Sequence, residues 1–487
     1  MRRLTYLFGV LALGLSACVP PADPLGPAYA IETIPMPDGL VAETGGLEFL
    51  PDGRLVASFH RGEILIYDPE TQAWSTFADG LHDGLGILPE PSGSVLVMQR
   101  PELTRLTDTD ADGRADLFET VTDDFGMSGN YHEFAFGPVR DADGALYLSL
   151  GTASNGDGVR DLKRGLFNPL GRPGRMYSSV PYRGYVMRLA PDGTLEPFAH
   201  GFRTPNGLGF DLEGRLFVTD NQGDWLGTSP LYHVEEGNFY GHVTSLVWEP
   251  GFDIDPLTLP VDSLDAMRTP PVVQFPHGIL ANSPTQPIVV ADDRFGPFKG
   301  QLIVGEMNFP RLLRVMLEEV GGALQGAATT LIDTTALRMG NNRLAFAPDG
   351  SLWVGQNDHG WVGDRGIQRV AWTGTLPMDL HTMHLTETGF DLSFTLPLDA
   401  ATVATDSALT VTRYRYAYHR AYGSPQLDVT AVTVTDWRTS DDARTLSLDL
   451  SELVPGFVYQ IDFAGLRANT GRPLDNPHVY YTLNRLR

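Results

Sequence analysis

The residues best suited to chemistry by type and spacing are the carboxylates between positions 108 and 119. The run is Asp108, Asp110, Asp112, Gly113, Arg114, Asp116 and Glu119. This spacing matches the D-x-D-x-D-G-x5-E calcium loop, in which alternating carboxylates point inward and the glycine permits a sharp turn. Arg114 would add its backbone carbonyl, and Glu119 would close the shell around the ion.

The segments that flank this acidic loop, 103–106 and 117–121, are typical of strands rather than helices. We therefore predict a hairpin loop that holds calcium for a structural purpose, and not a sensor EF-hand. The alternative is an acidic turn that is solvated without metal.

A second segment places an arginine beside a proline-restricted turn. Residues 201–208 read Gly-Phe-Arg-Thr-Pro-Asn-Gly-Leu and lead into two predicted strands, 208–210 and 216–219, joined by a tight turn. A loop rich in Gly and Asp follows and ends in the polar-aromatic segment 237–241. Arg203 therefore lies at the mouth of a two-strand unit.

This segment resembles the soluble pyrroloquinoline-quinone (PQQ) sugar dehydrogenases and the broader glucose/sorbosone dehydrogenase family. The family pattern is GxRNPxGL, then a strand pair, a QG loop and GGNYGW. The matching residues are Arg203, Pro205, Gly207, Leu208, Gln222, Gly223, Gly237, Asn238, Tyr240 and Gly241. Phe239 is an insertion, and Thr204 stands where the family has asparagine.

The resemblance implies a cofactor site that contains Arg203, Asn206, Gly223 and Asp224. Arg203 would lie against a quinone oxygen and stabilise the negative charge that develops there on reduction. Backbone carbonyls of Gly223 and Asp224 would hold a calcium ion beside the quinone.

The resemblance also implies a catalytic base, His132. The family places a histidine before a strand pair, and residues 131–147 fit that frame. Oxidation of a sugar hydroxyl needs a base for its proton while hydride leaves, and a histidine with a pKa near neutrality suits this task. The alternative is a histidine at a channel mouth that bonds to a neighbouring loop.

The chain departs from the characterised enzymes where the cofactor's carboxylates would bind. Those enzymes use a lysine and an arginine pair, and the corresponding positions here are Asn308, Gly340 and Asn342. A tricarboxylate needs cationic partners, which Arg311 and Arg343 would supply only if the loops shift. No CxxCH haem site is present, so the expected electron acceptor is a separate cytochrome.

A second resemblance extends over most of the chain beyond its N-terminal segment. Large secreted bacterial proteins described as membrane-bound dehydrogenases share the acidic loop and the Arg203 turn. They also share the segments that here span 275–278, 295–305, 342–356, 414–425 and 480–485.

The N-terminus predicts export and lipid attachment. Arg2 and Arg3 precede an apolar stretch at 4–15 that is too short to span a bilayer of ~30 Å as a helix. Residues 15–18 resemble a bacterial lipobox that ends at Cys18, the single cysteine. We expect a signal peptide over 1–18, lipid on Cys18, a tether over 19–29 and a position on a membrane face of the cell envelope. The alternative is an ordinary signal peptide with an incidental cysteine.

The net charge of −25 argues against nucleic acid and anionic lipid headgroups as partners. The chain has 53 Gly and 36 Pro in 487 residues, yet 42% of residues are hydrophobic. This combination is typical of a turn-rich all-β protein with a substantial core.

A strand–turn–strand pattern recurs six times, at 47–58, 86–98, 134–150, 208–219, 288–305 and 344–355. It predicts a six-bladed β-propeller over residues 30–372, because closure of repeated blades removes free sheet edges. After Trp372 the alternation of apolar and polar residues, including a predicted strand at 430–437, indicates a small Ig-like β-sandwich over 373–487. The aromatic segment 414–425 would either pack against the propeller or bind a glycan.

Two classes of function follow from the resemblances and the repeats. The first is a lipid-anchored PQQ/calcium-type oxidoreductase that acts on a sugar or polyol through His132 and Arg203. The second is a non-catalytic propeller that binds a glycan or a partner protein of the envelope. A third interpretation is a calcium lactonase that would use Asn206, Asp220 and Asn282.

Overall fold

The computed structural model describes residues 26–156, 158–172, 174–403 and 408–487. Cys18, the signal peptide and residues 19–25 of the expected tether lie outside the described residues. The described chain is mostly β-strand, which confirms the all-β prediction. Its helices are short: α1 is Val261–Met267, α2 is Ala400–Val403, and three 3-10 turns are Val243–Trp248, Pro256–Thr258 and Asp293–Phe295. Within this part of the chain, no helix has the length and apolar character needed to cross a membrane.

Four-stranded antiparallel units follow one another along the chain. Unit 1 contains β2 (Thr44–Phe49), β3 (Leu55–Phe59), β4 (Ile64–Asp68) and β5 (Ala73–Ala78). Unit 2 contains β6 (Ile87–Pro89), β7 (Val95–Met98), β8 (Leu103–Thr107) and β9 (Leu117–Thr122). Unit 3 contains β10 (Ala135–Arg140), β11 (Leu146–Leu150), β14 (Tyr185–Leu189) and β15 (Leu195–His200). Inside unit 3, the link that follows β11 carries the small pair β12 (Ala153–Ser154) and β13 (Met176–Tyr177).

Three further units complete the series. Unit 4 contains β16 (Gly207–Phe210), β17 (Leu216–Thr219), β18 (Ser229–His233) and β19 (Val273–Phe275). Unit 5 contains β20 (Pro284–Val289), β21 (Leu302–Glu306), β22 (Arg311–Val320) and β23 (Ala323–Asp333). Unit 6 contains β24 (Asn341–Phe346), β25 (Leu352–Gln356), β26 (Gly366–Trp372) and the N-terminal strand β1 (Tyr29–Ile34), which pairs with β26.

The first strands of the units form a closed ring, because β2, β6, β10, β16, β20 and β24 each pack against the next and β24 packs against β2. Glycines permit this close approach. A Cβ on Gly86 would lie 1.7 Å from the Gly137 carbonyl oxygen, and one on Gly209 would lie 2.1 Å from that of Pro287. Such contacts exclude any side chain larger than hydrogen, so these glycines let neighbouring backbones meet near the axis. The architecture is therefore propeller-like.

The C-terminal region forms two facing sheets. One contains β27 (Leu380–Leu385), β28 (Gly389–Phe394), β31 (Val434–Thr439) and β32 (Thr445–Leu450). The other contains β29 (Thr410–Arg415), β30 (Leu427–Val432), β33 (Phe457–Asp462) and β34 (His478–Leu483). The predicted strand at 430–437 is wrong in one respect, since the chain leaves one sheet after β30 and enters the other at β31.

The C-terminal region is joined to unit 5 through the backbone. Strand β34 pairs with β23, so unit 5 and half of the C-terminal region form one eight-stranded sheet. The apolar core between the two C-terminal sheets also includes Met316, Val320 and Ala327 from the long strands of unit 5. The two parts of the chain therefore share both a sheet and a core.

Candidate active site

One cavity of about 490 Å³ is lined by the loops that connect the units. His132, Arg203, Asn206 and His277 all line it. Three of these residues, His132, Arg203 and Asn206, were predicted from the sequence, and the fold brings them to one place. His132 precedes β10, Arg203 lies between β15 and β16, and His277 follows β19.

His132 has a fixed tautomer. Its Nδ1 lies 3.1 Å from the Thr152 carbonyl oxygen, and a carbonyl can only accept, so Nδ1 carries the proton and Nε2 keeps a lone pair. Burial and the nearby Arg203 guanidinium lower the pKa of His132 to about 3. The expected pKa near neutrality is therefore wrong. The imidazole is neutral at physiological pH and able to accept a proton.

Arg203 is held from two sides. Its backbone N–H donates to Asp220 at 2.7 Å, and the next residue, Thr204, donates to the same carboxylate at 2.6 Å, which fixes the turn. The Arg203 Nε lies 3.4 Å from Asp224 Oδ1. Gly223 makes room for the guanidinium, because a Cβ there would lie 2.0 Å from Nε.

Asp224 lies below the cavity as a buried counter-ion and not as a ligand on its surface. Burial opposes its ionisation, but His242, Arg203 and the backbone N–H of Met176 outweigh this effect and lower the pKa of Asp224 to about 2. His242 Nε2 is 3.5 Å from the carboxylate. The carboxylate therefore stabilises a buried arginine and a buried histidine.

The carbonyl of Gly223 does not fit its expected role as a calcium ligand. It accepts N–H groups from Gly423 at 2.9 Å and from Leu226 at 3.3 Å. Both lone pairs of this oxygen are thereby used. Gly223 acts instead as a contact to the C-terminal region and as space for Arg203.

Asn206 meets a buried arginine at the floor of the cavity. Arg343 Nη1 donates to the Asn206 carbonyl at 3.1 Å and to Asn342 Oδ1 at 2.9 Å, and Nη2 donates to the Leu85 carbonyl at 3.0 Å. Burial lowers the pKa of Arg343 to about 9. The hydrogen bonds of the Arg343 guanidinium are therefore made within the ring of first strands. Arg311 forms an ion pair with Asp333 at 2.8 Å. Neither arginine replaces the basic residues that hold the cofactor in the characterised enzymes.

Two arginines that the sequence reasoning missed supply positive charge instead. Arg100 and Arg175 line the cavity together with Arg203. Among the described lining residues none is Asp or Glu, although the net charge of the chain is −25. Arg175 lies in the long link between β11 and β14, outside the strand–turn–strand repeat, so no periodic signal marked it.

Exposed aromatic side chains form a rim of the cavity, and its members are Tyr131, Trp361 and Tyr422. Tyr422 comes from the C-terminal region. The Arg175 and Arg203 guanidinium groups lie 4.3 Å and 5.5 Å from its ring centroid. The C-terminal region therefore contributes directly to the cavity.

The aromatic segment 414–425 packs against unit 4, as one of its two predicted alternatives required. Tyr418 donates its hydroxyl to the Gly241 carbonyl at 2.6 Å, and Trp225 donates its backbone N–H to the His419 carbonyl at 3.0 Å. Tyr414 is fully buried. These contacts leave Tyr422 as the ring of this segment that lines the cavity.

Comparisons with known proteins show the family of the chain. Residues 67–356 match the model of a family described as a domain of unknown function, DUF7133, and the match spans more than half of the chain. The chain belongs to the DUF7133 family. Among curated proteins, none matches it.

The fold of this DUF7133 protein is similar to that of a solved structure, and two further structures match it less well. An oxidoreductase described as a glucose dehydrogenase, from Thermus thermophilus, matches with a TM-score of 0.51 at 21% identity over 70% of this chain and 99% of that chain. The PQQ-bound aldose sugar dehydrogenase of Streptomyces coelicolor matches with a TM-score of 0.49 at 17% identity, over 71% and 99% of the two chains. The soluble aldose sugar dehydrogenase of Escherichia coli, in its apo form, gives 0.49 and 14%, over 70% and 99%. The Thermus structure confirms, for the fold, the resemblance inferred from the Arg203 turn.

The acidic loop gathers part of its expected ligand set. The ligand atoms of Asp108, Asp110 and Asp112 lie within 4.8 Å of one another. Asp116 instead accepts the backbone N–H and the hydroxyl of Thr109 at 2.8 and 2.6 Å. Glu119 lies in β9 opposite Arg105 and is outside the group of three. Arg114 directs its guanidinium to Asp79 at 3.2 Å.

The lactonase interpretation does not fit the cavity. Asn206 and Asn282 line it, but Asp220 is buried and accepts the backbone N–H groups of the Arg203 turn. Glu306 is a buried carboxylate that the sequence reasoning missed, and burial raises its pKa to about 7. It accepts the N–H groups of Asn282 and Ser283 and does not line the cavity in the described part of the chain.

Proposed function

We propose that this protein is an oxidoreductase of sugars or polyols, with a PQQ-type quinone bound in the cavity. Hydride would leave the carbon that bears a hydroxyl for the quinone, and a base would accept the proton from the hydroxyl oxygen. One observation carries the proposal. His132, with its tautomer fixed by Thr152, and Arg203, fixed by Asp220 and Asp224, line one cavity whose described lining has no carboxylate. A neutral base beside a buried cation is the pair that such an oxidation requires.

The cavity residues fit a flat anionic cofactor. A volume of about 490 Å³ lies within the usual range for small-molecule sites. Arg175 and Arg203 supply the positive charge that carboxylates need, whereas the guanidinium of Arg100 is paired with Asp83. When bound, a quinone of this type supplies two-electron acceptance. Arg175 and Arg203 are the residues that would hold it, since both lie beside the Tyr422 ring.

His132 would take the hydroxyl proton at Nε2. The Thr152 carbonyl keeps the ring oriented and stabilises the imidazolium that forms, because Nδ1–H continues to donate to it. Burial is the largest cause of the low pKa of His132, and the positive charge of Arg203 is the second. An anion bound beside Arg203 offsets the second cause. We therefore expect ligand binding to raise that pKa toward the range in which a base is effective.

The proposed architecture is a six-bladed propeller over residues 30–372 and an Ig-like sandwich over 373–487. The closed ring of first strands supports the blade number, and the two facing C-terminal sheets support the sandwich. The proposed location is the cell envelope, with lipid on Cys18. Labelling with a fatty acid in a bacterial host, with Cys18→Ser as control, tests this part, and equal labelling of both proteins would refute it.

Calcium is proposed at the acidic loop and not at Gly223, whose carbonyl is used by Gly423. The electron acceptor is proposed to be a separate cytochrome. The function proposal needs neither of these assignments, since substrate oxidation can be followed with an artificial acceptor.

The second candidate is glycan binding without turnover, and the exposed rim of Tyr131, Trp361 and Tyr422 favours it. Aromatic rings of this kind offer flat apolar faces with a polar end. Both candidates predict sugar binding, but only the first predicts electron transfer.

The test is reconstitution of the purified full chain with PQQ and calcium, followed by a screen of sugars and polyols with an artificial electron acceptor. We expect saturable quinone binding and dye reduction that depends on a sugar. Saturable sugar binding without dye reduction would support the second candidate and reject the first. A parallel titration with Arg175→Gln should weaken quinone binding, and unchanged binding would contradict the assigned anchor.

A further inference from the structure

A cluster of two histidines and an aspartate lies at the wall of the cavity and has no part in the proposed oxidation. His60 follows β3, Asp83 lies between β5 and β6, and His359 follows β25. One ligand atom from each lies within 4.8 Å of those of the other two. The His60 and His359 rings stack with their centroids 4.2 Å apart and their planes 15° apart. Their in-plane nitrogen lone pairs therefore lie in nearly parallel planes, and one ring must turn before both can bind one ion.

His60 presents a buried nitrogen that lacks a hydrogen-bond partner in the described chain, since Nδ1 is inaccessible and unbonded. The side chain is 5% exposed, and Asp83 Oδ1 lies 3.5 Å from Nδ1. This is longer than a charge-assisted hydrogen bond of about 2.7–2.9 Å. Two ligands bound at about 2.1 Å to one ion with tetrahedral geometry lie about 3.4 Å apart. The observed separation suits a shared metal ion better than a hydrogen bond.

Neighbouring side chains occupy the other polar atoms of His359 and Asp83. His359 Nδ1 lies 3.1 Å from Glu43 Oε2, which leaves the other ring nitrogen free to bind. Arg100 donates to Asp83 Oδ2 at 2.6 and 2.8 Å, so Oδ1 remains the free oxygen. Metal-binding histidines commonly donate their second N–H to a carboxylate in this way.

We propose that His60, Asp83 and His359 bind one divalent transition-metal ion, with Glu43 as a positioning residue. Two imidazoles and one carboxylate favour ions such as Zn²⁺ or Co²⁺ over Ca²⁺ and Mg²⁺, which prefer oxygen ligands. His60 and His359 both line the cavity, so a fourth ligand position opens toward it. A water or a hydroxyl of a bound molecule would occupy that position. This site does not depend on the proposed oxidation.

The test uses the full chain, stripped with a chelator and titrated with ZnCl₂ by calorimetry. We expect one Zn²⁺ site in the wild type and a loss of affinity of about 100-fold or more in His60→Gln and His359→Gln. His359 is partly exposed, with 41% of its side chain accessible, so His359→Gln should keep the fold, which thermal melting checks. Glu43→Gln should weaken binding about 10–100-fold, as loss of an orienting carboxylate does.

Two matched controls separate this site from its surroundings. His277→Gln removes another histidine of the same cavity, and Asp110→Asn disrupts the acidic loop; both should keep the wild-type zinc affinity. The stripped protein should also develop the visible absorption of bound Co²⁺, and His359→Gln should not. Absence of zinc binding in the wild type, or equal affinity in wild type, His60→Gln and His359→Gln, would overturn the proposal.

Discussion

Arg203 shows how a buried cation is made stable at a cavity wall. Its guanidinium has Asp224 on one side and the Tyr422 ring on the other, while its backbone is fixed by Asp220. Glycine at position 223 is required, because any side chain there would occupy the space of the guanidinium. One arginine thus depends on residues from the turn, the following loop and the C-terminal region.

Removal of the Asp224 charge should therefore destabilise the fold. Asp224→Asn leaves Arg203 and His242 without their buried anion, and loss of one partner of a buried pair costs about 3–5 kcal/mol. Urea denaturation measures the free energy of unfolding. The matched control is Asp436→Asn in the exposed pair with Arg438, which should change stability little. Equal effects of the two substitutions would contradict the assigned role of Asp224.

The pKa of His132 predicts a pH dependence of stability. Its pKa is about 3 in the folded chain and about 6.5 when unfolded. The unfolded chain therefore takes up the proton first, and stability falls as pH is lowered from about 6.5 toward 3. His132→Gln should flatten this slope by at most about 1.4 kcal/mol per pH unit.

The control for this prediction has the opposite sign. Glu318 raises the pKa of His384, so its contribution is present at low pH and is lost as pH rises through that raised pKa. Urea denaturation of His132→Gln and of His384→Gln between about pH 4.5 and 8 separates the two effects. A His132→Gln variant with the wild-type slope would show that folding does not lower the pKa of His132.

The sequence predicted the site residues that belong to local motifs and missed those that do not. Arg203 and Asn206 lie in a recognisable turn, and His132 precedes a strand pair. Arg175 and Tyr422 come from a long link and from the C-terminal region, and His60 and Asp83 meet only because neighbouring units close into a ring. Such long-range proximity leaves no periodic pattern in the chain.

The pairing of β23 with β34 joins the C-terminal region to unit 5 through a shared sheet. A chain that ends at residue 372 would expose the edge of β23 and the apolar side chains Met316, Val320 and Ala327. Exposed edges and apolar patches of this kind promote aggregation.

We therefore expect the truncated chain to be insoluble or unfolded, and the full chain to melt in a single calorimetric transition. Differential scanning calorimetry checks the full chain, and circular dichroism checks any soluble truncated protein. Two well-separated transitions, or a folded protein that ends at 372, would show that the regions fold independently.

The acidic loop provides the second prediction at this scale. If Asp108, Asp110 and Asp112 bind calcium, an ion at about 100 times its Kd should raise the melting temperature by roughly 2–3 °C. A chelator should reverse the rise, and Asp110→Asn should abolish the response. If wild type and Asp110→Asn each melt at the same temperature with and without calcium, the loop is an acidic turn that does not bind calcium.

The strand–turn–strand repeats predicted the units well because each unit begins with a short hairpin whose turn residues are local. The sequence did not predict the length of β22 and β23, which continue beyond the ring into the C-terminal core. The sequence-based prediction also merged β30 and β31 into one strand. The alternation of apolar and polar residues continues through Thr433, although the chain changes sheets there. Sheet membership is decided by packing partners that alternation alone does not reveal.

For the whole molecule, the distribution of charge is more informative than its sum. The net charge of −25 disfavours anionic macromolecules at the surface, yet the cavity is lined by arginines and by no described carboxylate. This contrast favours a small anionic ligand that is enclosed by the ring. It also explains why neutral His132 and cationic Arg203 can lie near each other, since burial keeps the imidazole uncharged.

The proposed oxidation depends on His132 as its base. The decisive measurement is kcat for the quinone-reconstituted wild type, His132→Gln and the distant control His384→Gln, with quinone affinity measured in each. We predict that His132→Gln lowers kcat by about 10²–10⁴-fold, keeps quinone affinity within a few-fold and leaves the fold intact, while His384→Gln retains activity. Turnover by His132→Gln at the wild-type rate would contradict the claim.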